Sequence, residues 1–258
     1  MLWIIDDRKS ICEAVMETFR LKCWNSYSSE DKIDNKILEL KLSEPRVIKK
    51  LVQQRSLGLP DLGVFHVEHE PKNDVNDEES NESKEHLGLL ERCFPKEIQK
   101  FELMISENCY IDSWLKVLEQ KSKNIKNKLK IELPSISLDR FMNIVTWFSH
   151  LTSISIQTED FDINEDQNII IKDHPDFKLR KITFENIEKI DGESIFKIID
   201  ELAKFESLRL TFEKLSFKNI KIIAKKYDFE HKINEFIKEK GFEQFGKVNT
   251  TEFVSYSE

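Results

Sequence analysis

Apolar residues along this chain switch repeatedly between two periods. Short runs follow one pattern: apolar, two residues, apolar, one residue, apolar. Copies fall at Ile37-x-x-Leu40-x-Leu42, Leu59-x-x-Leu62-x-Val64 and Ile98-x-x-Phe101-x-Leu103. A weaker one ends at Leu129-x-Ile131, with Lys126 in its first slot, and three more are Leu151-x-x-Ile154-x-Ile156, Leu179-x-x-Ile182-x-Phe184 and Phe205-x-x-Leu208-x-Leu210. Alternation of this kind is the signature of a half-buried strand. Between the runs, apolar residues recur at i, i+3 and i+4, which puts a single stripe on a helix. Such stripes are Val47/Ile48/Leu51, Trp114/Leu115/Leu118, Phe141/Ile144/Val145/Phe148, Ile195/Ile198/Ile199/Leu202 and Ile220/Ile223/Ala224. Ser137 and Asp191 stand where helix N-caps are expected.

The spacing of the middle apolar positions makes this a repeat. Leu40 to Leu62 is 22 residues, and from Phe101 the steps to Leu129, Ile154, Ile182 and Leu208 are 28, 25, 28 and 26. The one long step, 39 from Leu62 to Phe101, contains the polar run from Pro71 to His86, and removing those sixteen residues leaves 23. Strand, helix and parallel strand, repeated without reversal of strand order, stack into a parallel sheet with helices along one side. The ends are predicted to cap the stack. Residues 1–36 open with Leu2-Trp3-Ile4-Ile5 and a helix through Ile11, Val15, Met16 and Phe19. Residues 216–258 hold a helix from Phe229 to Lys240, stopped at Gly241, and a tail strand near Glu252–Tyr256. Residues 37–215 form the repeat body, with 71–86 as a flexible acidic insertion.

These runs resemble the leucine-rich-repeat family, whose segment reads L-x-x-L-x-L-x-x-N/C-x-L. The last apolar slot falls on Val47, Ile136, Phe161 and Leu215, but on His69, Asn108 and Lys189 in three copies. The Asn/Cys slot holds Pro45, Val67, Ser106, Pro134, Glu159, Ile187 and Glu213, so the turns must be satisfied in some other way. Period and helix content resemble the ribonuclease-inhibitor type. The resemblance implies an α/β fold: a curved solenoid of strand–helix repeats, parallel sheet on the concave face and helices outside.

Composition narrows the function classes. With 40 basic and 48 acidic residues the formal charge is 40 − 48 = −8, which disfavours a phosphate-neutralising surface. Only six glycines are present, too few for glycine-rich phosphate loops. No apolar run nears the ~20 residues that span a bilayer, and no signal peptide is expected from Met1-Leu-Trp-Ile-Ile-Asp-Asp-Arg-Lys. The four cysteines, Cys12, Cys23, Cys93 and Cys109, form no CxxC pair and read as reduced thiols, so a cytoplasmic or nuclear location is expected.

Candidate chemistry is thin. Asp6 and Asp7 after the first strand resemble the Mg²⁺-holding acids of a response-regulator receiver, with Pro60 to His66 in place of the third strand, but His66 stands where the phosphoacceptor aspartate belongs. Capping of the first helix is the plainer role for those acids. His66-x-Glu68 fits half of a zinc-deaminase motif, and Cys93-Phe-Pro-Lys lacks its second cysteine. His66, Glu68 and Glu70 share one strand face, with His69 on the other. No enzyme, cofactor, metal or small-molecule substrate is expected. The expected function is protein recognition or scaffolding within a larger complex, through the polar strand face. Partner-binding residues expected there are Phe65, Met104, Lys130, Glu132, Gln157, Glu185, Arg209 and Phe212. The alternatives are a metal-dependent or receiver-like signalling domain using Asp6 and Asp7, or a nucleic-acid assembly component using the Lys-rich helices from Lys214 to Lys240.

Overall fold

The computed structural model describes residues 37–42, 59, 61–69, 81–162, 177–187, 190–205, 208, 213–218, 221–223, 229–240 and 252–254. Asp6, Asp7, Glu70, Arg209 and Phe212 lie outside them, as do the expected N-terminal cap and the Val47/Ile48/Leu51 stripe. The chain divides into two compact units, Met1–Lys126 and Asn127–Glu258.

In the first unit, strands β1 (Ile37–Lys41), β2 (Leu62–His69) and β3 (Ile98–Ile105) pair in parallel and in chain order. The connection from β2 to β3 carries helix α1 (Asn81–Cys93), and α2 (Ile111–Lys121) follows β3 after a turn at Asn108–Tyr110. The strand starts are tied to the preceding chain. The Leu62 amide donates to the Glu97 carbonyl at 2.9 Å, the Glu97 amide to Asp61 Oδ1 at 3.0 Å, and the Leu59 amide to the Cys93 carbonyl at 2.7 Å. Leu38 and Leu40 of β1, Phe65 and Val67 of β2, and Phe101, Leu103 and Ile105 of β3 are all buried and fall in register. Leu87, Leu90 and Cys93 of α1, with Ile111, Trp114 and Leu118 of α2, are buried with them.

Three expectations are corrected here, the first two by that register. Leu62 pairs with Ile98, Phe65 with Phe101 and Val67 with Leu103. The second copy of the pattern is therefore Leu62-x-x-Phe65-x-Val67, three residues later than expected. Phe65 faces the core and is fully buried, with ring centroids 5.6 Å from Phe94 and 5.4 Å from Phe101, so it is not an exposed partner anchor. The end of the acidic insertion, residues 81–86, is not a loop but the first turns of α1. Leu87, Leu90 and Cys93, three residues apart, give that helix a stripe to bury.

In the second unit, β4 (Ile125–Ser137, opening two residues before the boundary), β5 (Ser153–Asp162), β6 (Lys181–Glu185) and β8 (Lys214–Lys218) are again parallel and in chain order. Helix α3 (Leu138–Trp147) joins β4 to β5. The chain from β6 to β8 passes through β7 (Ile190–Asp191) and α4 (Gly192–Ala203). A second small parallel sheet has the order β10 (Glu252–Val254), β9 (Lys221–Ile223), β7, with helix α5 (Phe229–Glu239) between β9 and β10. Leu129, Ile154, Ile182 and Leu215 occupy one lateral row, and all four are buried. Phe141 of α3 packs on that side, 5.1 Å from Phe184 and 6.1 Å from Phe161, centroid to centroid.

Here the first three copies stand where the spacing put them, and the last does not. Leu208 is helical and buried, and the strand is the later Leu215-x-Phe217 run, in register with Ile182 and Phe184. Residues 221–223 form a strand instead of the helix expected from Ile220, Ile223 and Ala224. Lys126, counted as a faulty first slot, is exposed, and Ile125 one residue earlier is fully buried in its stead. Ser137 has the extended backbone of an N-cap, φ −89° and ψ 158°, without a side-chain cap bond.

Two of the turns that lack Asn or Cys are bonded by hydroxyls. Ser106, in that slot, donates through Oγ to the His69 carbonyl at 3.3 Å, and the Ser106 amide reaches the same carbonyl. Thr158, one residue before the slot, donates to the Asp160 carbonyl at 2.8 Å and lies 3.3 Å from the Pro134 carbonyl. After β6 the turn uses Asn186 at φ 57°, a left-handed conformation that asparagine tolerates better than most side chains.

Candidate functional site

In both units one sheet face is filled by apolar side chains, helices among them, and the other carries half-exposed polar residues. Strand side chains alternate between faces, so the polar positions are fixed once the apolar ones are placed.

In the first unit the polar face is organised around a lateral row, Glu39–His66–Glu102, one residue from each strand. His66 Nδ1 lies 3.1 Å from Glu102 Oε2, and the Lys100 ammonium pairs with the other Glu102 oxygen. The hydrogen bond to Glu102 raises the His66 pKa above its ordinary 6.5, burial opposes this, and the charges of Glu102, Glu39 and Glu68 add to the rise. The same bond, with Lys100 assisting against the cost of burial, holds the Glu102 carboxyl down at about 2. Glu68 and Met104 form the next row, both half-exposed, and Met104 is on the face expected for it. Glu102→Gln is expected to bring the His66 titration back toward or below 6.5, since burial then acts with one carboxylate fewer. An NMR titration of the imidazole protons checks this, and an unchanged midpoint would show that the two side chains do not pair in solution.

His69 is on the opposite face, as expected, and is 2% exposed. Its Nδ1 accepts a hydrogen bond from Trp114 Nε1 at 2.9 Å, and its ring stacks on Tyr110 with centroids 4.1 Å apart. Burial, with the charge of His86 second, lowers its pKa to about 4. This is a structural histidine, neutral at pH 7. Among the described residues no group of three or more His, Cys, Asp or Glu could hold a metal ion.

In the second unit three polar rows cross the strands. Nearest the strand starts is Lys128–Ser153–Lys181–Lys214. Lys130–Ser155–Thr183–Ser216 comes next, and then Glu132–Gln157–Glu185–Lys218. Lys130, Glu132, Gln157 and Glu185, four of the expected partner-binding residues, are therefore neighbours on one face, all half-exposed. Beyond Lys130 the middle row has short side chains and is nearly covered at Thr183, 8% exposed, and Ser216, 3%. Ser155 Oγ is buried there with no hydrogen-bond partner among the described residues. The repeat spacing does not single out the lysine row. It sits one residue before the middle apolar position at Leu129, Ile182 and Leu215, so it is legible only when the last copy is placed at Leu215 and not Leu208.

No helix among the described residues is long and apolar enough to cross a membrane. Neither a known protein family, nor a characterised protein, nor a solved structure matches this chain.

Proposed function

We propose that this chain is a non-enzymatic recognition or scaffold subunit, built from degenerate leucine-rich-repeat-like units of the ribonuclease-inhibitor type. In this reading the strands line the concave side of a curved solenoid, and a protein partner docks on their polar face. Its setting is a larger assembly in the cytoplasm or nucleus. The observation that carries the reading is the row Glu132–Gln157–Glu185, with Lys130 beside it. These half-exposed polar side chains are held in register by parallel pairing, on a face whose reverse is packed with Phe141, Phe161 and Phe184. A sheet presents such rows on a fixed backbone, so no backbone ordering is left to oppose binding, although each long side chain immobilised still costs about 0.5–1.5 kcal/mol. Met104 on the first unit's sheet belongs to the same class of position, whereas Arg209 and Phe212, expected there from the copy at Leu208, lie outside the described residues. Parallel strands in chain order also support the repeat reading, and the hydroxyl of Ser106 acts in the slot where the family uses asparagine, with that of Thr158 one residue before it.

The test is affinity capture from the native source. The partner is identified with the unaltered protein, then measured against a variant carrying Lys130→Glu, Glu132→Lys and Glu185→Lys. Each replaced side chain is half-exposed, so folding should hold and capture should fall at least tenfold. Undiminished capture by a folded variant would remove this face from consideration.

A further inference from the structure

The polar face of the second unit segregates charge along the strand direction. Lys128, Lys181 and Lys214 line one side, while Glu132 and Glu185 line the other, with Lys218 ending the acidic row on β8. Between them Ser155, Thr183 and Ser216 make a floor of short side chains bounded by long ones, with Lys130 closing it on β4. Residues 128 and 132 are four apart, which places the two charged rows about 13 Å from each other at roughly 3.3 Å per residue. A helix with its side chains is about 10–12 Å across and fits between such rows, while a single extended strand leaves one of them unengaged.

We propose, resting on the recognition reading above, that this trough takes one α-helical segment of a protein partner laid across the strands. That helix has an acidic flank meeting Lys128, Lys181 and Lys214, and a basic flank meeting Glu132 and Glu185. Small residues on its underside let it lie close over the row of Ser155, Thr183 and Ser216. A polyanion would engage the lysine row and be repelled from Glu132 and Glu185, so nucleic acid suits this face poorly.

Binding of a synthetic helical peptide to the full chain tests this. The peptide carries a glutamate stripe and a lysine stripe on opposite flanks of an alanine- and serine-rich helix, and a scrambled peptide of identical composition is the control. Fluorescence anisotropy at low salt should show at least tenfold tighter binding of the striped peptide. Reversing the three lysines (Lys128→Glu, Lys181→Glu, Lys214→Glu) should abolish that preference. Adding Glu132→Lys and Glu185→Lys to the same variant should restore it, because the helix turned end for end presents the opposite flanks. Equal binding of striped and scrambled peptides, or no rescue by the five-fold swap, overturns the proposal. So does tighter binding of a single-stranded oligonucleotide than of the striped peptide. If the lysine reversals leave capture of the native partner intact while the Lys130/Glu132/Glu185 variant loses it, the recognition face stands and the two-flanked helix does not.

Discussion

Phe65→Ala is expected to destabilise the first unit by about 3–5 kcal/mol, the range for emptying a buried aromatic site. The ring is fully buried and closes a triangle with Phe94 and Phe101, whose own centroids are 5.5 Å apart. Phe101 in turn meets Trp114 at 6.5 Å. Removing Phe65 leaves Phe94 and Phe101 without their shared neighbour on a strand whose backbone is held from both sides, so the cavity has little freedom to collapse. Met104→Ala, on the half-exposed face of the next strand, is expected to cost less than about 1 kcal/mol. Urea unfolding followed by tryptophan fluorescence compares the two. Similar midpoints for both variants would mean that Phe65 lies on the polar face after all.

The contrast between these residues shows where the sequence was legible. Strand and helix periods identified most of the described elements, because one buried face per element leaves a strong imprint on residue choice. Phase was harder. Around β2, Leu59, Leu62, Val64, Phe65 and Val67 are all apolar, so two registers three residues apart satisfy the same pattern. Only pairing with Ile98, Phe101 and Leu103 decides between them. Near the last repeat the ambiguity is between helix and strand. Phe205 and Leu208 fit either period, and both are buried, but Leu208 is helical while the strand that pairs with β6 begins at Lys214. The acidic composition of residues 71–86 hid the start of α1, since the apolar stripe that fixes that helix begins only at Leu87. The shared face of Lys130, Glu132, Gln157 and Glu185 was recoverable because the copies at Leu129, Ile154 and Ile182 have unambiguous phase. The His66–Glu102 pair was not, because it requires knowing which residues of β2 and β3 stand opposite each other.

Acid sensitivity of the first unit is expected to trace largely to His69. The indole nitrogen of Trp114 can only donate, so His69 Nδ1 must be unprotonated to accept from it, and the ring proton resides on Nε2. Protonation would break that bond and place a charge beside Tyr110 in a buried site. With a folded-state pKa of about 4 against an ordinary 6.5, the unfolded chain binds more protons than the folded one between those values. Stability therefore rises with pH across that window and is lost as pH falls from 6.5 through 4. The shift corresponds to about 3 kcal/mol at the acid end. His66 acts in the opposite sense. Its folded-state pKa is raised, so its stabilisation is complete below 6.5 and lost as pH climbs through the higher value. The two histidines, three residues apart on opposite faces of one strand, should give stability a maximum near pH 6.5. Unfolding free energies measured from pH 4 to 8 check this in wild type, His69→Gln and His66→Gln. Glutamine at 69 keeps an acceptor for Trp114 but does not titrate, so that variant should be less stable at pH 7 and should lose the difference toward pH 4. Glutamine at 66 should flatten only the limb above pH 6.5. An acid limb of undiminished slope in His69→Gln would assign the sensitivity to carboxylates instead, and with it would fall the neutral, indole-bound state of His69.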